Sequence, residues 1–205
     1  LFEKKNLFIC NFEDLDKFKV KVDWIIFVYV ETAECKIFDI RKINNFKKKN
    51  KCKLMLDATA SIGLEKNHHL ADIMFFSSCK GLFGPTGLGF IAYDKCKINR
   101  NLNFFEDLKT YEKSMFTMGY NCLAALFEIS KKHKFYLQRL LYARKLLLKF
   151  SRNQINPIIG LDIEFKLKKK KNMIYYQPRD KKSFQPIFFL FFLKFNKKKI
   201  IKILE

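Results

Sequence analysis

The sequence predicts an α/β fold built on a mostly parallel sheet, and three observations lead there. Between Asp23 and Asp94, short apolar runs of strand length alternate with charged, helix-compatible segments. The chain has 205 residues, 49% of them hydrophobic, enough for one sizeable core or for a core plus a small appendage. The last apolar run follows its predecessor through a glycine-proline turn too short for a helical crossover, so that strand is expected to be antiparallel.

Taken in order, "WIIFVYVE" (24–31) is a continuous apolar run, read as a strand buried on both faces. "DIRKINNFKKKNK" places Ile40, Ile43 and Phe46 at three-residue spacing, as an amphipathic helix does. "CKLMLDATAS" is the next strand and ends at Asp57; "HLADIMFFSS" ends just before Lys80; "GLGFIAYD" is the antiparallel one. A long helix or helix pair is expected after Tyr120. Its apolar stripe is read as Leu123, Leu126 and Phe127, then Leu137, Leu140 and Leu141 with Ala143 or Arg144. From about 153 the pattern becomes irregular, which divides the chain into a large domain over 1–150 and a partial, small α+β domain over 151–205. No internal repeat is visible.

A formal charge of +21 raises the question of nucleic acid or an anionic membrane. The lysines are mostly scattered in twos and threes, however, and Phe, Ile and Asn are abundant with them, as an AT-rich coding sequence would give. Solvated faces are therefore expected rather than a nucleic-acid site. The six cysteines show no CxxC pair and no metal-ligand spacing, and the start does not resemble a signal peptide, so a reducing cytoplasm is the expected location. "FQPIFFLFFL" is about half the length of a membrane-spanning helix and contains a proline, so no span is expected. His68 and His69 are adjacent and so point apart; they are read as surface or helix-cap groups, His133 as solvated, Trp24 as packing and Cys122 as core.

The chemistry is concentrated in "FSSCKGLFGPTGLGF" (76–90) and in Asp57. In open α/β sheets ligands bind at the carboxyl ends of strands, where Asp57 and Lys80 could share one crevice. A plain salt bridge would also account for that pair. The neighbours favour more: Ser77 and Ser78 offer hydroxyls, Gly81, Gly84, Gly87 and Gly89 allow close backbone approach, and Pro85 fixes a turn. Apolar surroundings would favour the uncharged, nucleophilic form of a lysine. A cofactor with an aldehyde, a phosphate and a pyridine ring would use all of these groups, and pyridoxal phosphate is such a cofactor.

The segments "VETAECKIFDIRKI", "LMLDATASIGLE" and "DIMFFSSCKGLFGPTGLGFIAYD" resemble the core of class V aminotransferases, pyridoxal-phosphate enzymes of fold type I. The resemblance covers roughly residues 23 to 130. It implies that Asp57 pairs with the pyridine nitrogen, and that Lys80 forms the internal aldimine and serves as the base for the substrate's α-proton. It further implies a phosphate contact for Ser78, packing on the ring for Thr59, and a phosphate contact across a homodimer interface for Thr117. The implied reaction moves an amino group from a small amine or amino acid to a 2-oxo acid such as pyruvate. Within the family the pattern is most similar to 2-aminoethylphosphonate and serine or alanine transaminases. Cys79 stands where cysteine desulfurases carry a histidine, which speaks against desulfuration.

Departures are visible too. "ETAEC" (31–35) replaces the family's "ETSTG", putting Glu34 and Cys35 where a hydroxyl and a glycine are common. The family's glycine-rich phosphate loop precedes the matched region and is not in this sequence, so the chain is read as an amino-terminally truncated piece. Arg179 is the candidate for the substrate-binding arginine. Two other readings stay open: a catalytically inactive truncated homologue, and a basic nucleic-acid-binding protein.

Overall fold

The computed structural model describes residues 7–32, 36–93, 119–147, 174–176 and 185–187. Its centre is a four-stranded sheet made of β1 (Trp24–Val28), β4 (Lys53–Asp57), β5 (Ile73–Ser77) and β6 (Gly89–Tyr93), in that spatial order. β1 and β4 run parallel, as do β4 and β5, while β6 is antiparallel to β5 as the short turn requires. A two-residue pair, β2 (Val30–Glu31) with β3 (Lys36–Ile37), follows β1 directly.

The crossover from β1 to β4 is made by α1 (Ile40–Asn50). Asp39 caps it, accepting the Arg41 amide at 2.9 Å. Lys47, Lys48 and Lys49 fill its last turn, where positive charge complements the helix dipole, and Lys51 closes it in the left-handed conformation. Ile40, Ile43 and Phe46 are its buried residues, the stripe read from the sequence.

Alternation along β4 sends Leu54 and Leu56, both fully buried, toward α1, and Met55 and Asp57 to the opposite face. On the α1 side the core has two adjoining parts. Tyr29, Val30, Ile40, Leu56, Ala58 and Ala60 form one. Leu15, Ile43, Phe46, Cys52 and Leu54 form the other, closed by Phe12 and Phe18 from the segment around a 3-10 turn at Phe12–Lys17. Lys47 and Asp72 pair at 2.7 Å beneath the helix, and the same Asp72 oxygen accepts the Leu54 amide. This pair joins α1 to the start of β5.

The expectation that β1 is buried on both faces is not met. Its residues Trp24, Ile26 and Val28 are 38%, 56% and 38% exposed, on the side opposite α1. A continuous apolar run does not distinguish a strand covered twice from one covered once, because both are equally apolar.

Two helices follow, α2 (Tyr120–Ser130) and α3 (His133–Leu147), the helix pair expected after Tyr120. The inward stripe of α2 is Cys122, Ala125, Leu126 and Ile129; Leu123 and Phe127, read as part of it, are exposed. On α3, Leu137, Leu140 and Arg144 face inward as read, whereas Leu141 is exposed. β7 (Ile174–Tyr176) and β8 (Gln185–Ile187) form an antiparallel pair. The remainder of 151–205, with Arg179, lies outside the described residues, as does Thr117.

The one-sided core makes a direct prediction. Leu56→Ala should lower unfolding free energy by about 2–5 kcal/mol, while Ile26→Ala on the open face should cost at most about 1 kcal/mol. Urea unfolding of the two variants beside the parent chain checks the contrast; equal losses would show that both faces are covered.

Candidate functional site

Parallel pairing of β4 and β5 brings their carboxyl ends to the same edge of the sheet, and each strand opens there into a loop. Asp57 is the last residue of β4, in register with Val28 on β1 and Phe75 on β5. Its Oδ1 accepts the Thr59 amide at 2.9 Å, an Asx-type turn that fixes the carboxylate against its own loop. The backbone holds it on both sides: Tyr29 N donates to Asp57 O at 3.1 Å, and Ala58 N to Phe75 O at 2.9 Å.

Lys80 follows the end of β5 by three residues, in a loop that is bonded mainly to itself. Gly84 N donates to Ser78 O at 2.8 Å, Phe83 N to Lys80 O at 3.0 Å, and Ser78 N to Leu88 O at 3.1 Å. Phe83 adopts a left-handed conformation at φ 58°, and its ring lies against His133 and Tyr136 of α3.

The two loops interlock. Gly81 N donates to Thr59 O at 3.1 Å, and a Cβ placed on Gly81 would come within 2.3 Å of the Ile62 carbonyl oxygen. Only glycine allows that approach. The residue after Lys80 is thereby bonded to the residue two past Asp57.

Asp57 and Lys80 are both partly buried, yet among the described residues neither forms an ion pair, with the other or with any third residue. The plain salt bridge is therefore not what the structure shows. An acid and an amine are brought to neighbouring loops, each without an ion-pair partner among the described residues. Helices α2 and α3 rest on the same loops. Leu126 contacts the Gly84 position, the Cys122 thiol donates to Thr86 O at 3.4 Å, and Arg144 pairs with Glu65 at 2.8 Å.

The profile of the aminotransferase class-V family matches residues 5–105, a span that contains both loops. That match takes in just under half of the 205 residues. None of the curated proteins matches the sequence. Among solved structures the chain is similar to an aspartate aminotransferase of subgroup IV from Thermus thermophilus, at TM-score 0.52 and 23% identity, covering 67% of this chain and 44% of that one. It is also similar to ureidoglycine-glyoxylate aminotransferase from Bacillus subtilis, at TM-score 0.53 and 16% identity, covering 66% and 40%. A third, SPT with its PLP internal aldimine, matches at TM-score 0.58 and 14% identity, over 85% and 52%. These likenesses establish a fold shared with fold type I transferases. The chain spans about half or less of the length of each.

The residues singled out in the sequence are placed differently from one another. Asp57, Thr59 and Lys80 converge on the interlocked loops. Ser78 is fully buried, and its hydroxyl donates to Pro85 O and, at 3.5 Å, to Leu88 O, holding the turn together. Ser77 lies on the Asp57 face of the sheet, with its hydroxyl 3.3 Å from the Cys79 thiol. Cys122 sits on the inward face of α2, as read. Trp24 is partly exposed, with Lys53 Nζ over its ring at 5.4 Å. Among the described residues no cluster of three or more His, Cys, Asp or Glu could hold a metal, and no helix is long and apolar enough to cross a membrane.

The two histidines part company. His69 is exposed, as expected of a surface group, but His68 turns into the loop that follows Asp57, where its Nε2 lies 2.9 Å from Ser61 Oγ. His133 is not solvated either: its Nε2 is buried against Gly63. Burial pushes the His68 pKa below the ordinary histidine value, with Glu65 opposing the shift and His69 adding to it. Burial likewise pushes the Tyr29 and Cys52 pKa values up.

Two outcomes follow from this geometry. Gly81→Ala should destabilise the chain by about 1–3 kcal/mol, because the added methyl meets backbone rather than a yielding side chain; unchanged thermal unfolding would contradict the interlock. For His68, the unfolded chain binds the proton more tightly than the folded one. Its contribution to stability is thus complete above about pH 6.5 and is lost as pH falls from there through the lower folded value. Urea midpoints measured across that window should fall with acidification in the parent and less steeply in His68→Gln.

Proposed function

We propose that this chain carries the cofactor-holding part of a pyridoxal-phosphate-dependent aminotransferase, one that moves an amino group from a small amine or amino acid to a 2-oxo acid such as pyruvate. The observation that carries the reading is the pair Asp57 and Lys80, on loops bonded to one another and without an ion-pair partner among the described residues. A carboxylate for a ring nitrogen and an amine for an aldehyde are what this cofactor requires.

When bound, pyridoxal phosphate supplies an aldehyde that captures amines and a pyridinium ring that accepts electrons. Asp57, its Oδ1 fixed by the Thr59 amide, would hold the ring nitrogen and favour its protonated form. Lys80 would hold the cofactor through its aldehyde, and its Nζ would serve as the base that removes and returns the substrate's α-proton. Thr59, positioned from both sides by its bonds to Asp57 and Gly81, would pack on the ring. Ser78 supports the phosphate end: its hydroxyl is occupied by the turn carbonyls, so it shapes the Lys80 loop, and Ser77 is the neighbouring hydroxyl on the Asp57 face. Thr117, supplied by a second copy of the chain in a cytoplasmic homodimer, would contact the phosphate.

Incubation with pyridoxal phosphate, borohydride reduction and peptide mapping test this directly. The expected result is one dominant reduced adduct at Lys80, abolished in Lys80→Ala. Asp57→Asn should retain the adduct site but weaken cofactor retention about 10- to 100-fold, the range for losing one charge-assisted hydrogen bond. Adducts spread evenly over surface lysines would overturn the proposal.

A further inference from the structure

We infer that His68 is a positioning residue for Asp57, acting through Ser61 and the turn that begins at the Ala58 carbonyl. The inference rests on the cofactor reading above for its purpose, but its physical content is a set of contacts independent of any ligand.

The loop after Asp57 turns back on the Ala58 carbonyl, which accepts Ser61 N at 3.0 Å, Ile62 N at 2.8 Å and the Ser61 hydroxyl at 3.3 Å. Ser61 is fully buried, so its hydroxyl must be satisfied inside the protein. The second partner of that hydroxyl is His68 Nε2, at 2.9 Å. His68 opens the short 3-10 turn His68–Leu70, at the far end of the same loop. The histidine therefore ties the end of the loop to its beginning, one turn from Asp57.

Tyr29 closes the arrangement from the other side. Its backbone amide holds Asp57 O, its ring lies against His68 with centroids 5.4 Å apart, and its hydroxyl donates to Lys66 O at 2.9 Å. The groups around His68 are thus Ser61, the Tyr29 ring, and the charges of Glu65 and His69, with Glu65 itself held by Arg144 of α3. Among the described residues the Asp57 carboxylate is held by the Thr59 amide, in the turn that the His68–Ser61 bond stabilises. Loss of that bond frees the 58–62 turn and, with it, the orientation of the carboxylate.

Amide hydrogen exchange on the full 205-residue chain provides the primary test. In His68→Leu and in Ser61→Ala, the amides of Thr59, Ser61 and Ile62 should exchange roughly five- to tenfold faster, the factor for losing one hydrogen bond. Amides of α1 should keep their parent rates. His68→Gln, whose side-chain amide reaches the Nε2 position, should restore slow exchange. The second readout is the pH midpoint of the bound cofactor's visible absorbance after addition of pyridoxal phosphate, which should move in the Leu and Ala variants and return in the Gln variant. Unchanged local exchange in both disrupting variants, or a uniform rise across the whole chain, overturns the inference. If the parent chain takes up no cofactor at Lys80, the functional reading fails while the exchange result still decides the role of His68. Should His68→Leu not fold, Ser61→Ala and His68→Gln decide it alone.

Discussion

One backbone hydrogen bond organises the candidate site: Gly81 N to Thr59 O, made at a place where no side chain fits between the loops. Parallel pairing of β4 and β5 brings the two strand ends to one edge, but a shared edge alone leaves the loops free to diverge. The interlock removes that freedom. It places the backbone of the Lys80 loop against the turn that fixes Asp57, and the packing of Phe83 against α3 keeps the loop from lifting away.

The electrostatic consequence follows from partial burial. A carboxylate and an amine in contact would lower their energy by pairing, and pairs of this kind appear elsewhere in the chain, between Lys47 and Asp72 and between Glu65 and Arg144. Those two pairs join elements together. At the loop edge Asp57 and Lys80 have no ion partner among the described residues, and the proposed cofactor would supply a partner for each.

Much of the architecture was legible because it follows from local pattern. Ile40, Ile43 and Phe46 repeat at helical spacing and are buried; the β5–β6 turn is too short for a crossover, and the strands pair antiparallel. The positions of Asp57 and Lys80 were legible because one ends an apolar run and the other lies just past one, where strand direction fixes position. What stayed hidden depends on contacts distant in sequence. The open face of β1 depends on which elements pack against the sheet. Two consecutive serines at a strand end point differently, and only the fold decides that Ser78 turns inward. The "HH" pair carries no mark of its division into one exposed and one inward ring, because the signal is Ser61, seven residues earlier. On α2 the abundance of apolar residues obscured the phase, and Cys122, Ala125, Leu126 and Ile129 proved to be the covered set.

The central claim is that Asp57 and Lys80 stand on interlocked loops so that a third group can bind between them. A crystal structure of the chain grown with pyridoxal phosphate tests it most directly. The account predicts density continuous with Lys80 Nζ, the ring nitrogen within hydrogen-bond distance of the Asp57 carboxylate, and the Gly81–Thr59 bond intact. Cofactor bound elsewhere, or Asp57 and Lys80 closed on one another in a direct ion pair, would contradict it.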